Sequence, residues 1–193
     1  MHGRLFAAVL TLVLSLSQQR TVCAQTEKFE LGGQVTFVDW NAFGTKETGF
    51  GGRLSYNLGN YLALETEGNF FPKVGYDRSK AIEGLLGVKV GVRPDRFGLF
   101  GKLRPGLIHF TRIPTGSEPA PSPSNPTQTR AVYSQMTEFL LDFGSVVEIY
   151  PTHRSLIRFD IGDTVLMNFR FPTAIPDFRT HNLQISAGMS FRF

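Results

Sequence analysis

The sequence predicts an all-β fold: an eight-stranded antiparallel transmembrane β-barrel with up-and-down meander topology, following a cleaved signal peptide. The prediction rests on three observations. Residues 183–193 alternate strictly between apolar and polar side chains and end on Phe193. An export signal opens the chain, and eight alternating segments are joined by connections that alternate between short and long. Such a barrel needs an apolar lipid face, a polar lumen face and aromatic residues at the membrane edge.

The N-terminal region reads as a secretory signal peptide over residues 1–24. Arg4 precedes the apolar run 5–16, and small residues at 22–24 mark the cleavage position. The run is too short to cross a bilayer as a helix, and the polar residues after it disfavour a retained anchor. One barrel domain is expected over residues 25–193, free of cysteine and with a formal charge of +2 instead of +4. Its Lys and Arg are scattered among acids, so no nucleic-acid partner is expected.

The eight strands are predicted from period-two alternation, which places apolar side chains on one face and polar side chains on the other. They are Phe29–Val38, Phe50–Leu58, Tyr61–Phe70, Ala81–Arg93, Phe97–Phe110, Thr137–Tyr150, Ser155–Gly162 and Leu183–Phe193. Short turns lie at 57–60, 93–96 and 150–154, and long loops at 39–49, 71–80, 111–135 and 163–180. This alternation is typical of an outer-membrane barrel, with periplasmic turns and extracellular loops.

Two stretches containing proline carry their own predictions. The loop 111–135 holds five prolines among Ser, Thr and Asn, so we expect it to be exposed and mobile. Pro105 interrupts the fifth segment, and proline removes a donor from the strand ladder. The sequence therefore predicts a bulge around Pro105, which leaves the facing of Ile108, His109 and Phe110 open.

The polar face carries charges of both signs in nearly equal number. The lumen candidates are the acids Glu65, Glu67, Glu83, Glu138, Asp142, Glu148 and Asp160 and the bases Arg53, Lys89, Lys102, Arg104, Arg158 and Arg192. Eight strands enclose only enough space for side chains, and an isolated buried charge is costly. We therefore expect an ion-pair network that closes the lumen; a narrow ion path is the alternative.

The sequence lacks recognisable catalytic motifs. No nucleophile elbow, phosphate-binding loop, dinucleotide fingerprint or Cys/His metal spacing is present, so no enzyme activity, cofactor or metal is expected. The nearby charges Glu65 and Glu67 are interpreted as structural rather than catalytic. His109, followed by Thr111, resembles the His-x-Ser-Asn motif of lipid A deacylases only weakly. A lipid A-modifying enzyme is therefore kept as an alternative.

Several short motifs carry a family resemblance. They are Glu65-Thr-Glu67, Phe97-Gly-Leu-Phe-Gly-Lys102, Phe139-Leu-Leu-Asp-Phe-Gly144 with Glu148, Arg158-Phe-Asp160 and the closing Ser186-Ala-Gly-Met-Ser-Phe-Arg-Phe193. Together they resemble the outer-membrane protein β-barrel domain family, the small OmpA/OmpX-type barrels. The resemblance implies that Phe191 and Phe193 are read by the barrel assembly machinery. It implies no shared catalytic residues.

The expected function is that of an integral outer-membrane protein in a Gram-negative-type bacterium, with a structural or surface-interaction role such as membrane integrity or adhesion. The expected partners are outer-membrane lipid and lipopolysaccharide, the barrel assembly machinery, and an extracellular ligand at the loops. Besides the enzyme and the narrow pore, a secreted lipocalin-like ligand-binding barrel is an alternative. That alternative requires an apolar interior.

Overall fold

The computed structural model describes residues 28–41, 43–75, 79–120, 129–169 and 178–193. Eight strands run through them: β1 (Phe29–Trp40), β2 (Thr45–Asn57), β3 (Leu62–Val74), β4 (Ser79–Val92), β5 (Phe97–Pro119), β6 (Thr129–Ile149), β7 (Ser155–Phe169) and β8 (Phe178–Arg192). Each strand pairs antiparallel with the next, and β1 pairs with β8 to close the barrel. The predicted all-β, eight-stranded up-and-down barrel is confirmed.

Side-chain burial follows the predicted alternation. On the outer face, Leu31, Phe50 and Leu86 are 54%, 58% and 64% exposed, whereas Glu65 on the inner face is 1% exposed. Within the described residues, no helix is long and apolar enough to cross a membrane. The predicted signal peptide at 1–24 lies outside the described residues.

The strands are longer than predicted, and the loop lengths are the main error of the sequence analysis. The predicted loops 39–49, 71–80, 111–135 and 163–180 shorten to the connections 41–44, 75–78, 120–128 and 170–177. Backbone pairing continues into polar stretches such as 45–49, where side-chain alternation carries no apolar signal. The chain turns sharply between β1 and β2 because Gly44 adopts a left-handed φ of 61°. The predicted short–long alternation is therefore much weaker in the structure.

The stretch with five prolines is also partly strand. Pro114 and Pro119 lie in β5 and face Tyr133 and Thr129 of β6. The pairing of β5 with β4 ends near Phe110, so this part of β5 has a free edge, where a proline without an N–H group is tolerated. The other three prolines of the predicted loop fall outside the described residues.

The bulge predicted at Pro105 is absent. Leu85 pairs with Gly106 and Val88 with Leu103, so the β4–β5 register is the same on both sides of the proline. Pro105 opposes Leu141 in β6, again in unbroken register. The ladder to β4 is interrupted beside Pro105 without an inserted residue, because the missing N–H removes pairing but does not lengthen the strand.

The facing of the residues after Pro105 follows from this register. Ile108 and Phe110 are fully buried on the lumen side, and His109 faces outward. The first bulge of β5 lies further along the strand, between Phe110 and Ile113.

The barrel has two distinct ends. The turn rim carries the connections 58–61, 93–96 and 150–154, and the loop rim carries 41–44, 75–78, 120–128 and 170–177. At the turn rim, Phe29 and Phe193 exchange two backbone hydrogen bonds of 3.0 Å, which extend the β1–β8 seam.

Candidate functional site: the barrel lumen

The centre of the lumen is occupied by Arg158 of β7, which is 1% exposed. Its guanidinium donates to both oxygens of Asp160, with Nε–Oδ2 and Nη2–Oδ1 distances of 2.9 and 2.7 Å. It also donates to both oxygens of Glu65 on β3, with an Nη2–Oε2 distance of 3.0 Å. Because β3 and β7 lie on opposite sides of the eight-stranded barrel, this pair spans the lumen.

A second layer lies nearer the loop rim. Arg104 donates to Asp142 at an Nε–Oδ2 distance of 2.7 Å and to Glu67 at an Nη1–Oε2 distance of 2.5 Å. Glu67 also accepts from Arg53, with an Nε–Oε2 distance of 3.1 Å. Lys102 lies 3.1 Å from Asp142 and extends this chain of alternating charges. Its Nζ also lies 3.6 Å from Asp160, and this contact joins the second layer to Arg158.

A third layer closes the turn rim around Glu30 of β1. This carboxylate lies 3.1 Å from Arg192, 3.5 Å from Arg93 and 3.7 Å from Lys89. Lys89 in turn contacts Glu148 and lies 3.3 Å from Glu65. Glu30 and Arg93 were not among the predicted lumen charges. The alternation of the strand could have identified Glu30, because it lies between the outward-facing residues Phe29 and Leu31 and must therefore face inward.

Tyr150 sits at the turn rim, just beyond β6. Its hydroxyl donates to Glu148 at 2.7 Å and accepts from Arg93 at an Nε–Oη distance of 2.9 Å. Burial and the neighbouring Glu148 carboxylate raise the pKa of Tyr150, so the phenol stays protonated and keeps its donor. Arg192 stacks over the same ring at 4.1 Å from its centroid.

The structure thus brings nearly all of the predicted lumen charges together, and with Glu30 and Arg93 they form one connected set that we call the charge network. It comprises Glu30, Arg53, Glu65, Glu67, Lys89, Arg93, Lys102, Arg104, Asp142, Glu148, Arg158, Asp160 and Arg192. Their side chains are at most 7% exposed. Each carboxylate contacts at least two cations, which offsets the cost of removing the charges from water.

The two other predicted lumen acids are Glu83 and Glu138. Glu83 is 1% exposed and accepts from Asn69 at 2.8 Å, but no cation among the described residues lies within 4.0 Å of it. The Asn69 amide donates to both Glu83 and Glu67 and so links the two carboxylates. Glu138 is half-buried on the lumen face of β6, nearer the loop rim and opposite Ile108.

Above the charges, the lumen is filled by an aromatic plug made of Trp40, Phe43, Phe71 and Phe110. The Trp40 ring meets Phe71 and Phe110 edge to face, at centroid distances of 5.7 and 6.0 Å. Aliphatic side chains surround the plug in one apolar cluster: Val38, Val74, Ala81, Leu85, Ile108, Ile113, Leu140 and Leu166. This apolar cluster was not predicted from the sequence. Its signal was the apolar doublets 70–71, 85–86 and 140–141, which place apolar side chains on both faces of a strand.

The outer surface is an apolar band that extends over all eight strands. Ile82 to Val92 on β4 and Phe97 to Leu107 on β5 each cover about eleven residues, the length with which a tilted strand crosses a bilayer. Aromatic side chains mark the turn rim, where Phe29 stacks on Phe193 at 5.9 Å. Phe191 and Phe193 point outward and are 67% and 63% exposed.

His109, the residue of the enzyme alternative, lies on this outer surface. Its Nδ1 is 2.8 Å from the Thr137 hydroxyl on β6, and it forms no ion pair with a carboxylate of the described residues. No group of His, Cys, Asp and Glu in the described part of the chain could hold a metal ion.

Comparisons with known proteins identify the fold. No family model matches the sequence, and no curated protein matches it. Neisserial surface protein A is similar in structure, with a TM-score of 0.54 and 14% identity over 89% of this chain and 100% of that one. The N-terminal β-barrel domain of Pseudomonas aeruginosa OprF gives a TM-score of 0.49 and 14% identity over 87% and 100%. OprG of the same organism gives 0.44 and 12% over 89% and 99%.

At such identities the comparison establishes the fold alone. The class it defines is the small, closed eight-stranded β-barrel of outer-membrane proteins. This is the architecture that the motif resemblance implied.

Proposed function

We propose that this chain is an integral outer-membrane β-barrel with a closed lumen and a structural or surface-interaction role. The observation that carries the proposal is that the distribution of side chains is the reverse of that in a soluble protein. Large apolar side chains cover the outside, and charged side chains fill the inside. A lipocalin-like barrel needs the reverse arrangement, with an apolar ligand cavity and a polar exterior. A bilayer is the solvent that stabilises an exterior of this composition.

Two successive barriers support a closed lumen. Ion pairs such as Arg158–Glu65 cross the barrel from wall to wall, and the aromatic plug fills the space above them. An ion moving along the axis would have to displace charges that already satisfy one another, in a space that an eight-stranded barrel leaves no wider than its side chains. We therefore propose that the barrel does not conduct.

The surface-interaction role is assigned to the hairpin that projects from the loop rim. Residues 116–119 of β5 pair with 129–132 of β6 beyond the end of the barrel wall, and most of their side chains are exposed. Arg130 and Glu118 form an exposed ion pair across this hairpin. This hairpin lies beyond the last β4–β5 pair, at the loop rim, where a ligand outside the cell would meet it.

The membrane assignment is tested by fractionating cells that express the full chain and comparing unheated with boiled samples by electrophoresis. A heat-dependent band shift in the outer-membrane fraction is expected, because the closed hydrogen-bonded barrel resists detergent until it is boiled. A soluble band without a shift would overturn the proposal.

The closed lumen is tested separately in planar bilayers. The folded protein is expected to produce no discrete conductance steps. A matched variant, Arg158→Ala with Trp40→Ala, removes the central ion pair and the plug together, and any conductance that it shows reports the pathway that the wild type blocks. Discrete steps from the wild type would favour the narrow pore.

The enzyme alternative has its own test. We propose that the protein leaves lipid A unchanged, because His109 has a threonine rather than a carboxylate as its neighbour. Lipid A mass spectra with and without the gene are expected to coincide. A mass difference that disappears in His109→Ala would instead establish a lipid A-modifying activity.

A further inference from the structure

Three exposed cations lie side by side just above the apolar band: Lys73 on β3, Lys80 on β4 and Arg112 on β5. A bulge between Phe71 and Val74 places Lys73 across from Lys80. The backbone of Lys80 is held to the next strand by two hydrogen bonds with the Thr111 hydroxyl, of 3.1 and 3.2 Å.

Arg112 reaches the same place through a second bulge, the one that follows Phe110 in β5. Its backbone N–H donates to Ser79 at 3.0 Å, which fixes Arg112 next to Lys80. Its guanidinium packs over the ring of Tyr133 on β6, 3.9 Å from the centroid. The three positive charges are therefore set by the fold of three adjacent strands, and we call them the cationic cluster.

Among the described residues of the loop rim, the cationic cluster differs from the other charged groups because none of its three cations forms an ion pair with an acid. The ion pairs among the described residues of this rim are Lys46–Asp39, Arg130–Glu118 and His181–Asp163, and none of them involves the cationic cluster. Positive charges at a membrane surface attract anionic headgroups, and no carboxylate of the described residues forms an ion pair with these three cations.

A groove of about 530 Å³ lies directly below the cluster on the same strands. Gly84 and Pro105 form its floor, and Thr66, Ile82 and Leu107 line its sides. A side chain added at Gly84 would meet no atom within 4 Å, so the floor is open toward the surrounding lipid. At the upper end, His109 and Thr137 supply polar atoms between the groove and the cationic cluster.

From this juxtaposition we propose a binding site for a lipid with a phosphate-bearing headgroup. The cationic cluster binds the phosphate, His109 and Thr137 face the ester or amide region, and an acyl chain occupies the groove over Gly84. The inference rests on the proposed membrane location, since only there does an acylated phosphate reach this face of the barrel.

The test uses the full chain folded in a neutral detergent, with fluorescently labelled diphosphoryl lipid A as the probe and fluorescence anisotropy as the readout. Replacing Lys73, Lys80 and Arg112 together by Gln is expected to weaken binding at least about tenfold, in line with the usual contribution of basic residues near anionic lipid. Lys46→Gln removes a cation of the same rim that is already paired with Asp39, and it is the matched control with an expected change below about twofold.

Two further arms separate the parts of the site. Dephosphorylated lipid A is expected to bind the wild type as weakly as the phosphorylated lipid binds the triple variant. Gly84→Phe fills the groove on the outer surface and is expected to weaken lipid binding severalfold, whereas free inorganic phosphate is expected to displace the probe poorly from the wild type. A heat-dependent mobility shift confirms that each variant is folded.

The proposal is overturned if the triple variant binds within about twofold of the wild type, or if Lys46→Gln weakens binding equally. It is also overturned if inorganic phosphate displaces the probe as well as unlabelled lipid A does. These outcomes are independent of the membrane assignment, because the fractionation experiment reports location whether or not the lipid site exists.

Discussion

Removal of Arg158 tests how much the charge network stabilises the barrel. In Arg158→Met, the apolar replacement approximates the length of the side chain but leaves Asp160 without its 2.7 and 2.9 Å donors and Glu65 without its cross-barrel partner. The cations that remain nearest are more distant, with Lys89 at 3.3 Å from Glu65 and Arg53 at 3.6 Å from Asp160.

The expected magnitude follows from that imbalance. Breaking a buried ion pair by removing one partner leaves an uncompensated charge in a site from which water is excluded, which costs about 3–5 kcal/mol in the free energy of unfolding. A second substitution, Glu65→Gln, removes one of the two negative charges that lose Arg158 as their partner. The double variant is expected to recover about 1–3 kcal/mol relative to the sum of the single changes, because the two residues are in direct contact.

The assay is equilibrium unfolding in urea of the protein folded into phosphatidylcholine vesicles, with the folded fraction read from the heat-dependent mobility shift. Urea is uncharged and leaves ion pairs unscreened, which guanidinium chloride would not. Arg154→Met in the exposed turn 150–154 is the matched control, with an expected change within about 0.5 kcal/mol. The reasoning is refuted if Arg158→Met costs no more than Arg154→Met, or if Glu65→Gln brings no recovery.

Three further predictions concern the rest of the barrel. Glu83→Gln keeps the hydrogen bond with Asn69 but removes a buried charge that has no cation of the described residues within 4.0 Å, so the urea midpoint is expected to stay equal or rise. Trp40→Ala opens a cavity in the aromatic plug and is expected to cost about 3–5 kcal/mol of stability in the same assay. Phe193→Ala is expected to lower the amount of barrel in the outer-membrane fraction, if the assembly machinery reads this residue, more than Phe97→Ala at the same rim.

Each of these has a contradicting result. A loss of more than about 1 kcal/mol in Glu83→Gln would show that its charge is compensated. A change below about 1 kcal/mol in Trp40→Ala would show that the plug is loosely packed. Equal outer-membrane amounts of the Phe193 and Phe97 variants would remove the assembly role proposed for Phe193.

Much of the architecture was readable from local pattern. Period-two alternation is a property of neighbouring residues, so it identified each strand and its outward face without knowledge of the partners. The same alternation identified which charged residues face inward. Because buried charges must be compensated, it also predicted that these residues form ion pairs, although not which residue pairs with which. Glu30 was overlooked because it is the single charge on the inward face of β1, although its parity was visible.

The strand ends and the loop rim were not readable in this way. Hydrogen bonding between backbones extends β2 over residues 45–48 and β5 over residues 116–119, where side chains on both faces are at least partly exposed to water, and water imposes no alternation. For the same reason Pro114 is accommodated in a two-stranded hairpin, although composition indicated a loop. Whether Pro105 created a bulge depended on the register of β4 and β6 on either side of it.

The sequence by itself determined the all-β class, the strand count and which face of each strand meets lipid, because these depend on the order of side chains along the chain. Only the tertiary structure decided that Arg158 meets Glu65, that Asn69 donates to Glu83, and that Trp40 joins Phe71 and Phe110. These contacts join residues far apart in sequence, and they exist only once closure of the barrel and the stagger of its strands set each side chain at one height and one angle around the axis.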